Sequence, residues 1–191
     1  MKIGIDVSQL AHGKTGVANY LFNLVQALVA QDKNNDYILF FSSLRSNIKD
    51  QISKIKKINK NVKIKTFRFP PTFLDILWNR LHVVPIEWFI GDVDVFITSD
   101  WVEPPTKKAK KATILYDLIV YKYPEETHNK LNFNPLKMII SPNIVKSQKR
   151  KLRWVKKESS IVFCISESTR KDAMEILGIK EEKLKVVYPG I

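Results

Sequence analysis

The chain has 191 residues, with 32 Lys plus Arg against 19 Asp plus Glu, a formal charge of +13 and a pI near 9.7. Hydrophobic residues at 45% and charged residues at 27% exclude a disordered or collagen-like chain. A chain this size buries roughly 70% of its unfolded surface, enough for one substantial core. The lone Cys164 excludes an internal disulfide, the opening residues read as a strand rather than a signal peptide, and runs such as 88–97 are broken by Asp92 and Asp94, so no segment spans a membrane. The expected location is the cytoplasm, with a peripheral position at the inner membrane face as an extension of it.

Seven short runs rich in Val, Ile and Phe predict strands over 2–7, 37–41, 62–67, 93–98, 112–116, 161–165 and 184–187. Helix-length segments separate them, the pattern of an α/β, Rossmann-like domain with a largely parallel sheet and helices on both faces. Over 16–30 the spacing of Val17, Tyr20, Leu21, Leu24 and Leu28 predicts an amphipathic helix capped by Thr15. A second helix is expected from Ser168, as its cap, to Gly178. Residues 72–90 have helical spacing at Phe73, Leu74, Leu77 and Leu81, divided by Pro85, and 134–158 are helical with Pro135 and Pro142 near their start. Trp78, Trp88 and Trp154 are expected in the core.

Familiar nucleotide motifs fail on their spacing. The P-loop pattern ending at Gly13-Lys14-Thr15 needs a glycine where Ser8 stands, and no Gly-x-Gly pair exists for a dinucleotide fingerprint. Gly16, at a helix start on the carboxyl edge of the first strand, fits either an approaching anion such as a diphosphate or merely a tight turn. Asp117, after the fifth strand, fits either a ligand site or a cap, and Ser166 and Glu167 after the sixth have the same two readings. Trp101 beside Asp100 fits either a sugar-stacking platform or simple packing. His12, His82 and His128 are too far apart in sequence to propose a metal site, and none is expected.

Gly13-Lys14-Thr15-Gly16-Val17-Ala18-Asn19-Tyr20, Tyr116-Asp117-Leu118-Ile119 with Pro124-Glu125, Ile165-Ser166-Glu167-Ser168-Thr169-Arg170, Leu177-Gly178-Ile179, Lys183 and Val186-Val187-Tyr188-Pro189-Gly190 together resemble the N-terminal half of family 4 glycosyltransferases. The resemblance covers nearly the whole chain. It implies one half of a GT-B architecture, the acceptor-side domain over 1–187 with a linker starting at 188–191. It also implies retaining transfer from a nucleotide sugar to a glycan or lipid-linked acceptor, without a metal or other cofactor. By the same resemblance Gly16 and Thr15 face the donor diphosphate, Asp117 and Tyr116 the reacting sugar or acceptor, and Ser166, Glu167, Asp100 and Trp101 the cleft wall. Tyr116 stands where the family has histidine, and a phenol with a pKa near 10 cannot serve as a neutral-pH base. The nucleotide grip of the family lies in a C-terminal donor domain, and the E-x7-E spacing of Glu167 and Glu175 falls in the wrong half to replace it. The chain alone is therefore expected to catalyse little, and to need that domain in cis or in trans.

The charge concentrates at 146–157, where Lys146, Lys149, Arg150, Arg153 and Lys157 share one helix face and Val145, Leu152 and Val155 another. Such a helix fits an anionic membrane surface or a solvated face, and a non-catalytic module that binds membrane or protein is the alternative to a transferase. Lys54, Lys56, Lys57, Lys60, Lys63 and Lys65, with Lys107, Lys108, Lys110 and Lys111, are expected to add positive surface. No zinc spacing or RNA-recognition signature accompanies them, so no nucleic-acid partner is expected.

Overall fold

The computed structural model describes residues 1–13, 15–44, 48–99, 101–125 and 144–190. Seven strands, β1 Lys2–Asp6, β2 Asp36–Ser42, β3 Val62–Phe67, β4 Val95–Thr98, β5 Lys110–Leu115, β6 Ser159–Cys164 and β7 Leu184–Val186, form one parallel sheet in the order β3-β2-β1-β4-β5-β6-β7. All seven match the apolar runs of the sequence. The strands alternate between two covered faces: Leu39 and Phe41 join Ile5, Leu21 and Val25 on one side, while Phe40 joins Trp78, Ile86, Ile90 and Phe96 on the other. A third cluster, built from Leu115, Leu152, Val155, Val162, Cys164 and Leu184, closes the β6–β7 end. Gly4 permits this packing, because a Cβ there would lie 2.7 Å from the Phe96 ring.

The helices are α1 Gly16–Gln31, α2 Lys49–Ile58, α3 Pro71–Leu74, α4 Glu87–Ile90, α5 Ile119–Lys122, α6 Ile144–Glu158 and α7 Glu167–Glu175. Thr15 caps α1, as its hydroxyl accepts from the Ala18 amide at 3.2 Å. The α7 cap is Ser166, two residues before the expected Ser168, because the Ser166 hydroxyl is the one that reaches the Thr169 amide, at 3.1 Å. Gly178 ends that region with φ +62, a left-handed conformation suited to glycine.

Residues 72–90 depart most from their helical reading. α3 widens into a π turn, Asp75–Arg80, closed by the Leu81 amide donating to the Ile76 carbonyl, five residues back, at 2.9 Å. His82 and Val84 then take positive φ, 54° and 63°, before Pro85 and the short α4. The turn resets the helical phase, which leaves Trp88 73% exposed instead of in the core, while Trp78 is fully buried and Trp154 half-buried. The expected helix over 134–158 is present from Ile144, and 134–143 lie outside the described residues.

Lys111, expected to add positive surface, is buried, and so is Lys151. Lys111 holds Glu103 at 3.0 Å and Glu158 at 2.9 Å, with Glu103 wholly buried and further bonded to Thr98 at 2.7 Å. Burial alone would raise Glu158, but the Lys111 ammonium and then His82 hold its carboxyl below the usual range. Lys151 of α6 reaches under the sheet edge to the Ser99 carbonyl at 2.6 Å.

Candidate functional site

The strand order reverses between β1 and β4, so a crevice opens outside their carboxyl ends, where open α/β sheets bind ligands. Asp6 closes β1 there, buried, with its carboxylate accepting from the Ser8 amide at 2.9 Å. Burial pushes its pKa up, against the Ser8 hydrogen bonds and the charge of Lys151, which pull it down. Asp6, Ser99 and Lys151 thus join β1, β4 and α6 at the crevice. Neither charge stands in a recognisable motif; a single acid ending an apolar strand is the one signal the sequence carries for Asp6.

Gly16 is the first residue of α1, exposed, and outside the left-handed region of φ. A Cβ built on it meets nothing within 4 Å. Neither a strained turn nor close packing among the described residues requires glycine at this position. The helix start there presents the amide end and the positive dipole end, which favour an anion, with the Ala18 amide taken by the Thr15 hydroxyl.

The β5 edge meets α1 through Tyr116. Its buried ring packs edge-on against Tyr20 of α1, centroids 5.7 Å apart, and the Tyr20 hydroxyl donates to the Val187 carbonyl at 3.1 Å. Burial raises the Tyr20 phenol above its ordinary pKa. Asp117 is exposed, and its carboxylate accepts from the Ile119 amide at 3.0 Å, an Asx-type turn just ahead of α5. The β6 edge joins the same place, because the Thr169 hydroxyl donates to the Tyr116 carbonyl at 3.0 Å. Thr15, Gly16, Tyr116, Asp117 and Ser166 therefore stand on three adjoining turns of one sheet edge.

Other candidates stand apart. Glu167 is 58% exposed and paired with Arg170 at 2.7 Å, which in turn holds Glu181 at 2.8 Å on the outer surface of α7. Trp101 is 40% exposed beyond β4, and its carbonyl accepts from Asn79 at 3.0 Å. Asp100 lies outside the described residues. On α6, Lys146, Arg153 and Lys157 are exposed and Arg150 half-buried, whereas Lys149 turns its ammonium over the Tyr121 ring at 4.8 Å. A pocket of about 170 Å³ lies between the β5 edge, α5 and α6, lined by Tyr116, Asp117, Ile119, Gln148, Lys151 and Leu152. Among the described residues no three His, Cys, Asp or Glu side chains come together to hold a metal ion, and no helix is long and apolar enough to cross a membrane.

No protein-family model matches the sequence, and no curated protein matches it. Among solved structures, the chain is similar to apo UGT2 of Phytolacca americana, a UDP-glycosyltransferase of GT-B architecture, with a TM-score of 0.50 and 11% identity over 100% of this chain and 52% of that one. A short-chain dehydrogenase from Oenococcus oeni PSU-1 aligns with a TM-score of 0.36 and 13% identity over 97% of this chain and 72% of that one. The fold is thus an α/β, Rossmann-like fold with a seven-stranded parallel sheet, and the chain spans about half the length of the plant protein.

Proposed function

We propose that the chain is the acceptor-side half of a GT-B glycosyltransferase of the family 4 kind, moving a sugar from a nucleotide sugar to a glycan or lipid-linked acceptor with retention of configuration. The observation that carries this reading is the uncovered start of α1 at Gly16 beside the Tyr116–Asp117 turn, on the sheet edge where this fold class places ligands. The donor diphosphate sits against the Gly16 amide end, and a second α/β half, in the same polypeptide or on a partner, holds the nucleotide. Transfer breaks the bond from the anomeric carbon to the diphosphate oxygen and forms one to the acceptor oxygen, and the acceptor proton goes to the departing diphosphate. That route asks no base of Tyr116.

The test is the native gene product given radiolabelled nucleotide sugars and a membrane extract as acceptor source, with label transfer as the readout. Gly16→Val adds a side chain into open space, so the melting temperature should hold while turnover falls about a hundredfold, the scale on which displacing a bound reactant acts. Wild-type turnover in that variant overturns the reading.

A further inference from the structure

The loop between the π turn and α4 inverts the usual arrangement of polar and apolar side chains. His82 turns inward: its ring stacks on Trp154 of α6 with centroids 3.6 Å apart and planes 6° apart, Nδ1 lies 2.8 Å from the Trp78 carbonyl, and Nε2 lies 2.8 Å from Glu158. The next fixed point is the Val84 carbonyl, which accepts from the Trp78 indole at 2.9 Å. Among the described residues, 82 and 84 are the two non-glycine positions that hold positive φ, so the backbone is kept in a seldom-used conformation by these anchors. The residues left between and beside them point to water: Leu81 is 63% exposed and Val83 45%, joined by Ile76 at 45%. A water-facing loop with its imidazole inside and its aliphatic residues outside needs a reason.

The neighbouring helix supplies one. α6 buries Val145, Leu152 and Val155 against the sheet side, and locks a second flank to the π turn, where Asn79 donates to Ser147 at 3.4 Å and the Trp154 indole donates to the Asn79 carbonyl at 3.0 Å. At 100° per residue, Arg150, Arg153 and Lys157 fall within about 60° of one another on the remaining outward flank. That flank borders the exposed loop, since Lys157 reaches within 5.0 Å of the Trp154 ring on which His82 lies. Among the described residues no carboxylate forms an ion pair with these three cations. On the other side of α6 stands α5, with Ile119 38% exposed and Tyr123, just beyond it, 50% exposed.

We propose that this face docks on an anionic lipid bilayer, with Arg150, Arg153 and Lys157 among the headgroups and Leu81, Val83 and Ile76 in the acyl boundary. A bilayer presents both chemistries that the face displays, negative headgroups over hydrocarbon, whereas nucleic acid offers nothing to a leucine and two aliphatic neighbours. A few cations near such a surface, together with inserted side chains, suffice for reversible attachment.

The experiment is co-sedimentation of the whole chain with vesicles of phosphatidylcholine alone and of phosphatidylcholine mixed with phosphatidylglycerol. Binding is expected to the mixed vesicles only, and to weaken with added salt. Arg150→Glu with Arg153→Glu should lower the partition coefficient at least about tenfold. Leu81→Ser leaves the charge and the core untouched and should lower it about tenfold by removing inserted hydrocarbon. Lys54→Glu with Lys57→Glu, which reverses two exposed charges on α2, should change it little. Equal losses from the α2 pair and the α6 pair, no effect of Leu81→Ser, or a single-stranded oligonucleotide that binds as tightly as the mixed vesicles and ignores Leu81→Ser, each overturn the proposal. Sugar transfer is not read in this assay, so its outcome is independent of the transferase reading.

Discussion

The Thr169 hydroxyl donates to the Tyr116 carbonyl at 3.0 Å, and this bond ties the first turn of α7 to the end of β5. Thr169 is buried, so a valine in its place leaves the Tyr116 carbonyl without that donor in a dry setting. Thr169→Val should cost about 1–3 kcal/mol of stability, and Thr169→Ser, which keeps the hydroxyl, much less. Denaturant unfolding of the two variants separates them; equal losses would show that the methyl packing of Thr169, and not its hydrogen bond, holds the turn.

The Glu103–Lys111 pair gives a sharper stability test. Lys111→Met takes from Glu103, buried beside Thr98 and Thr113, the cation it is paired with, a defect worth about 3–5 kcal/mol. Adding Glu103→Gln removes the uncompensated charge, so the double variant should be more stable than Lys111→Met alone. A double variant that is less stable than the single would mean that the pair itself, and not the stranded charge, accounts for the loss. The comparison is a double-mutant cycle by urea unfolding.

These buried groups also mark where the sequence ceases to be readable. Strands were legible because each is a continuous run such as Tyr37-Ile38-Leu39-Phe40-Phe41, which buries both faces and leaves no other assignment. α1 was legible because Thr15 and a regular apolar stripe coincide. α2 was not: among its described residues only Ile52 and Ile55 are buried, amid lysines, and the segment reads as positive surface. Lys111 belongs to a lysine cluster in the sequence, and its burial depends on Glu103 and Glu158 arriving from other elements. Spacing likewise placed Trp88 in the core because nothing in the residues announces a π turn. At the candidate site the sequence located Gly16, Asp117 and Ser166 correctly on the sheet edge, but Asp6 and Lys151 meet there only through the fold.

A pH dependence follows from the turn after α1. Asp32 accepts from the Tyr37 hydroxyl at 2.6 Å, from the Asn35 side chain and from the Asn34 amide at 2.9 Å. These donors, Tyr37 first, pull its carboxyl from the ordinary 3.8 to about 2, while burial and then the Asp32 bond raise the Tyr37 phenol. A folded pKa below the unfolded one means that ionised Asp32 stabilises the fold. The contribution is complete above 3.8 and is lost as pH falls through about 2. Asp32→Asn should lower the melting temperature at neutral pH, and the gap to wild type should close across that interval. A gap that stays constant into acid would assign the effect to hydrogen-bond shape alone.

Asp117 separates catalysis from capping. Its carboxylate accepts from the Ile119 amide at 3.0 Å, which an asparagine carbonyl can also do, so Asp117→Asn keeps the start of α5 and removes only the charge. Asp117→Ala removes both, and should lower stability because the Ile119 amide loses its Asx-type partner. If the charge faces the reacting sugar, as the proposed function requires, both variants lose at least about tenfold in turnover while only alanine lowers the melting temperature. A capping role alone predicts the other pattern, in which asparagine is silent in both measurements. Turnover and thermal unfolding of the two variants, measured side by side on the native gene product, decide between them, and unchanged turnover in Asp117→Asn removes this residue from the reaction.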